Sequence, residues 1–164
     1  MAKIRTGNQA PDFELPDVDG KRASLHEALK RGPVVAAFFK ASCPVCQFTF
    51  PFLERLHQAY ASDRTTFWAI SQDDPEYTRE FCTEYRVSFP ALIDEDGYPV
   101  SNDYGLTNVP TFYLIGPDGK IKVDSVGFGK KALEKISEEL ARFLGRPVAP
   151  VFKPGEIIPD SKPG

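Results

Sequence analysis

Between Pro33 and Phe39 the chain runs through seven mostly apolar residues, and Cys43-Pro44-Val45-Cys46 opens the helical stretch that follows. A strand apolar on both faces belongs in the middle of a sheet. A proline at the first turn suits a helix start. The helix is expected from Pro44 to about Ala61, with a kink at Pro51. The cysteines, three positions apart, then share one helix end. Backbone N–H groups and the helix dipole favour negative charge there, so Cys43 is the expected nucleophilic thiolate.

The remaining elements alternate around this pair. Phe13-Glu14-Leu15 and Lys21-Arg22-Ala23 flank the turn signal Asp17-Val18-Asp19-Gly20 and read as a hairpin. Ser24-Leu25-His26-Glu27 has capping-box spacing, so a short helix is expected from Ser24. Thr65 to Ser71 is a strand by its β-branched and aromatic content. Asp74-Pro75 starts a helix whose expected buried stripe is Tyr77, Phe81 and Tyr85. A short strand at Ala91-Leu92-Ile93 and a short helix from Pro99 to Tyr104 follow. Thr111 to Ile115 and Lys120 to Val126 form a hairpin around Gly116-Pro117-Asp118-Gly119. Lys130 to Leu144 is an amphipathic helix with Leu133, Ile136, Leu140, Phe143 and Leu144 inward, and Gly145 stops it. This order specifies an α/β fold: a central mixed β-sheet flanked by helices, with an N-terminal β-hairpin extension. Residues 1–145 are expected as one domain. Residues 146–164 carry five prolines and read as an extended tail, with Val148, Val151, Phe152, Ile157 and Ile158 available to dock.

Composition narrows the function. The 164 residues suffice for one domain with a real core, and 26% charged with 41% hydrophobic residues fits a soluble globular chain. A net charge of −3 without a Lys/Arg cluster argues against nucleic-acid binding. No apolar run reaches the roughly 18 residues of a membrane span, and no apolar segment follows Lys3 and Arg5, so a cytoplasmic monomer without membrane contact is expected. Three cysteines are an odd number, which suits a reducing compartment and one reactive pair better than a disulfide scaffold. Zinc sites use the same pair spacing but need two more ligands. Only Cys82, His26 and His57 are spare, and none forms a second pair. No metal and no cofactor are expected, and His26 and His57 read as solvated or capping residues.

The order of motifs resembles the thioredoxin fold: strand, CxxC and helix at one end, Asn108-Val109-Pro110-Thr111-Phe112 at the other. Gly7-Asn8-Gln9-Ala10-Pro11-Asp12-Phe13-Glu14-Leu15 and Asp19-Gly20-Lys21 resemble its redoxin branch, which holds the AhpC/TSA peroxiredoxins and the TlpA-like thiol-disulfide oxidoreductases. Phe89-Pro90-Ala91-Leu92-Ile93-Asp94, Tyr104-Gly105-Leu106, Ile115-Gly116-Pro117-Asp118-Gly119 and Pro51 follow the TlpA-like pattern. The likeness covers roughly residues 7 to 144 and leaves the tail outside.

The resemblance implies a thioredoxin-like three-layer fold and exchange of the CxxC dithiol with disulfide-bearing proteins or small disulfides, served by a thiol reductant or oxidant partner. Cys43 attacks and Cys46 resolves the mixed disulfide. Pro110 matches a cis-proline whose neighbour Val109 would pair through its backbone with an extended substrate. Pro44 and Val45 lie between the thiols and contribute to substrate contact. Three positions depart from the family. Ala37 stands six residues before Cys43, where thioredoxins carry an aspartate. Thr49 stands six residues after it, where many TlpA-like proteins carry a glutamate. Ser42 replaces a usual tryptophan. Neither carboxylate is available as a base for Cys46. Lys40 and a solvent path are the remaining candidates.

Two other functions compete. A thiol peroxidase with Cys46 as the peroxidatic residue would need threonine at Cys43 and proline at Phe39. A redox-inactive binding module would use the tail or the groove near Val109. Cys82 is expected to be a buried inert thiol, with a resolving cysteine for a sulfenic acid as the alternative.

Overall fold

The computed structural model describes residues 3–164. Its centre is a five-stranded sheet in the order β5-β4-β3-β6-β7, formed by β3 (Val34–Phe39), β4 (Thr66–Ser71), β5 (Ala91–Ile93), β6 (Thr111–Ile115) and β7 (Ile121–Val126). β3 pairs in parallel with β4 and antiparallel with β6, so the sheet is mixed. All six residues of β3 are buried because the strand is central and covered on both faces. Side chains alternate across it. Val35, Ala37 and Phe39 join one apolar cluster, while Val34, Ala36 and Phe38 join the other.

Helices cover both clusters. The first is closed by α2 (Pro44–Tyr60), α3 (Pro75–Glu84) and α5 (Lys130–Leu144). Phe50, Leu53 and Leu56 of α2 are almost fully buried, and each such side chain contributes roughly 1.5–3 kcal/mol by leaving water. Phe39 meets the rings of Phe50 and Phe81 at centroid distances of 4.7 and 4.5 Å, which fixes how α2 and α3 sit at the end of β3. The second cluster is closed by α1 (Leu25–Leu29), α4 (Pro99–Asp103) and the hairpin of β1 (Glu14–Pro16) and β2 (Arg22–Ser24). The Ser24 side chain accepts the Glu27 N–H and caps α1. α2 runs unbroken through Pro51. Gly145 ends α5 in the left-handed region, as its sequence position anticipates.

One expectation needs correction. Tyr77 is 60% exposed; only Phe81 of the three stripe aromatics is fully buried, and Thr78 takes the inward place one position on. Tyr77 lines an open depression, while Thr78 meets the Ser71 hydroxyl of β4 at 2.6 Å. The proline-rich segment docks on the body through part of its apolar set. Val151 is buried, Phe152 and Ile158 pack on the first cluster, and Val148 and Ile157 face solvent. The Ala149 N–H donates to the Tyr60 hydroxyl at 2.7 Å, and Ser137 donates to the Ala149 carbonyl at 2.6 Å. Arg55 clamps Glu156 through two bonds of 2.8 and 2.7 Å. A last strand, β9 (Ser161–Lys162), pairs antiparallel with β8 (Phe128–Gly129).

Candidate active site at the head of the long helix

β3 delivers the chain to Lys40-Ala41-Ser42, a three-residue link held from both sides. The Ala41 N–H donates to Asp73 Oδ2 at 2.7 Å, and the Ala41 carbonyl accepts from Gln47 Nε2 at 2.9 Å. Cys43 is the N-cap of α2 in an extended conformation, with Pro44 at the first turn. Its Sγ accepts the Cys46 N–H at 3.2 Å. Sulfur thus occupies the place where a capping oxygen usually satisfies a helix amide. As a thiol, Cys43 also donates to the Val109 carbonyl at 3.5 Å. The side chain is partly exposed.

Cys46 lies behind it and is fully buried. Burial pushes its thiol well above the usual cysteine range, Cys43 adds to the rise, the Lys40 backbone opposes it, and the Asp73 charge adds a smaller increment. The pair is therefore asymmetric: one sulfur reachable and capped, the other dry and protonated. Cys43, Cys46 and Cys82 are all free thiols in this structure.

The opposite wall is the segment before β6. The Val109–Pro110 peptide is cis. Thr111 Oγ1 donates to the Asn108 carbonyl and the Gly127 N–H to the Pro110 carbonyl, both at 2.7 Å. Upstream, the buried Asp94 carboxylate accepts the Val100 and Ser101 N–H groups at 3.0 and 2.8 Å and anchors α4, which leads into this segment. Val109 therefore faces Cys43 from a braced backbone. Pro44 is exposed on the rim, while Val45 is half-buried and its carbonyl accepts from Thr49. The structure brings Cys43, Cys46, Val109, Pro110, Pro44 and Val45 to one end of the sheet. A depression of about 390 Å³ lined by Ala41, Ser42, Asp73, Tyr77, Glu80, Phe81 and Glu84 opens beside them.

The residues at the departing positions are committed elsewhere. Ala37 is buried in the sheet. The Thr49 hydroxyl donates to the Val45 carbonyl at 2.7 Å. The Lys40 ammonium stands over the Tyr98 ring at 5.9 Å. Asp73 is the carboxylate that sequence reading missed. In Asp73-Asp74-Pro75 the cap signal is satisfied by Asp74, whose Oδ1 accepts the Tyr77 N–H at 2.9 Å. Asp73 is then left to face the CxxC loop.

Cys82 is half-buried on α3, and burial, with the Glu54 charge, pushes its thiol up to about 11. His26 is exposed. His57 is less solvated than expected: its ring meets Phe67 and Phe89, and Nδ1 lies 3.1 Å from the Ser88 hydroxyl. Among the described residues no three His, Cys, Asp or Glu side chains cluster as metal ligands, and no helix is long and apolar enough to cross a membrane.

A mixed sheet that sets two cysteines one helical turn apart against a cis-proline defines a thioredoxin-like thiol-disulfide oxidoreductase. Residues 6–124 match the AhpC/TSA family, and the chain belongs to it. It is similar to the thiol-disulfide oxidoreductase ResA of Halalkalibacterium halodurans, 34% identical over 82% of this chain and 76% of that protein. The thioredoxin domain of a thiol-disulfide oxidoreductase from Bacteroides vulgatus shares the fold, with TM-score 0.74 and 23% identity over 84% of this chain and 99% of that one. So does the peroxidoxin BcpB of Mycobacterium tuberculosis, with TM-score 0.67 and 25% identity over 87% and 97% of the two chains.

Proposed function

We propose that Cys43 and Cys46 carry out the exchange in two steps. The Cys43 thiolate attacks one sulfur of a substrate disulfide; that S–S bond breaks, a Cys43–substrate disulfide forms, and the departing thiolate takes a proton. Cys46 then loses its proton and attacks Cys43 Sγ. The mixed bond breaks, the second substrate thiol leaves, and a Cys43–Cys46 disulfide remains. A thiol reductant resets the pair, and the same steps reversed transfer a disulfide outward. Val109 and Pro110 supply the edge along which an extended substrate lies, with Pro44 and Val45 at its rim.

One observation carries this reading: a partly exposed sulfur accepts the Cys46 N–H at the head of the helix while its partner, a turn later, is buried. Disulfide-bearing proteins are the substrate class this edge suits. A cytoplasmic location belongs to the same proposal, supported by the odd cysteine number and checked by fractionation; a monomeric state is checked by sedimentation. The peroxidase alternative has less support, because Cys46 is fully buried and Cys43 fills the position of the required threonine.

The test uses Cys43→Ser and Cys46→Ser with insulin as substrate. Cys43→Ser is expected to lose disulfide reduction, and Cys46→Ser to accumulate mixed disulfides through Cys43. Full insulin reduction by Cys43→Ser would refute the assignment of the nucleophile, and an unsubstituted chain that reduces no disulfide would favour a binding module.

A further inference from the structure

Residues 146–164 lie beyond the family match, which ends at residue 124. Their course is specific. They are pinned along α2 and α5 by Tyr60, Ser137 and Arg55. The Lys130 N–H then donates to the Asp160 carbonyl at 3.0 Å, and Ser161–Lys162 pairs with Phe128–Gly129. Lys162 Nζ stands 5.0 Å over the ring of Phe48, two positions after Cys46 on α2. Gly164 reaches the active-site wall: Asn108 Nδ2 donates to its carbonyl at 3.4 Å, and a Cβ built on Gly164 would overlap the Val109 carbonyl. Gly127, at φ +80°, leaves the space through which the Lys162 carbonyl passes.

The segment thus ends against the Val109 backbone, on the edge an extended substrate needs. Two chains cannot use that edge at once. We propose that residues 161–164 are a built-in competitor for the substrate edge at Val109, so that extended peptide disulfides must displace them while small disulfides reach Cys43 without doing so. This makes the tip of the tail a specificity element. It rests on the exchange function proposed above.

The hold is weak enough to yield. β9 is a two-residue strand, and a single cation–π contact at a surface is a small stabilisation. A site blocked for part of the time binds its ligand more weakly by the fraction that is open.

The experiment compares the full chain with a chain lacking residues 161–164 and with Gly164→Ala, which keeps the tail but crowds the Val109 carbonyl. Each is assayed with insulin and with glutathione disulfide. The expected result is a rise of about tenfold in kcat/KM for insulin in the deletion, a smaller rise in Gly164→Ala, and little change with glutathione disulfide. A reactive chain whose insulin rate ignores or falls with the deletion overturns this inference alone. Equal acceleration of both substrates also overturns it, because the tip would then shield the sulfur and not the edge. A full chain inert toward both substrates overturns the exchange function, and this inference with it.

Discussion

Cys46 must shed a proton before it can resolve a mixed disulfide, which makes the second step of exchange the one sensitive to pH. An ordinary cysteine thiol at 9.0 is about 1% ionised at neutral pH. Burial holds Cys46 above that value. In the mixed disulfide Cys43 is neutral, so its own contribution falls away, but burial is the largest cause and stays. The Cys46 thiolate fraction should then rise about tenfold for each pH unit until the pH reaches the thiol's own value. The assay is stopped-flow mixing of reduced protein with an aromatic disulfide that releases a coloured thiol. The first release depends on disulfide concentration and reports Cys43. The second does not, and reports Cys46. From about pH 6.5 to about pH 8.5 the second rate should climb about a hundredfold without a plateau. A plateau below about pH 8 would refute the reasoning, because it would make Cys46 an acidic thiol despite its burial.

Three further outcomes follow from the same structure. Tyr60→Phe removes the acceptor of the Ala149 N–H; leaving that donor unsatisfied should cost about 1–3 kcal/mol in urea unfolding followed by Trp68 fluorescence. Arg55→Met should free the segment around Glu156, read as faster proteolytic cleavage after Lys153 with the domain intact. Cys82 holds its proton to about 11 in the folded chain but releases it near 9.0 when unfolded. Stability should therefore fall as pH rises through that window, by at most about 1.4 kcal/mol per pH unit, and the fall should shrink in Cys82→Ala.

Much of the fold was legible because its signals are local. The apolar run of β3, the proline at the head of α2, the Ser24 cap and the Gly145 stop each act within one element, and each lies where its chemistry requires. The placement of Cys43 and Cys46 at a helix start was legible for the same reason, whereas the cis Val109–Pro110 bond was implied only by the family resemblance. Three features were not. Tyr77 keeps the i, i+4 spacing of Phe81 and Tyr85, yet Thr78 takes the inward place in that turn and Tyr77 lines an open depression, so periodicity alone overextends the aromatic stripe. Asp73 is hidden by Asp74, since either could cap α3 and only the three-dimensional loop shows which one does. The order of the tail comes from partners at Arg55, Tyr60 and Ser137, far away in sequence, while its five prolines erase any period.

The central claim is that Cys43 is the one thiol of this chain poised to attack. Brief treatment of the reduced protein with limiting iodoacetamide near neutral pH, followed by peptide mapping, tests it directly. Carboxamidomethylation is predicted at Cys43 first, with Cys46 and Cys82 lagging far behind. Labelling of Cys46 or Cys82 at the same rate as Cys43 would contradict it.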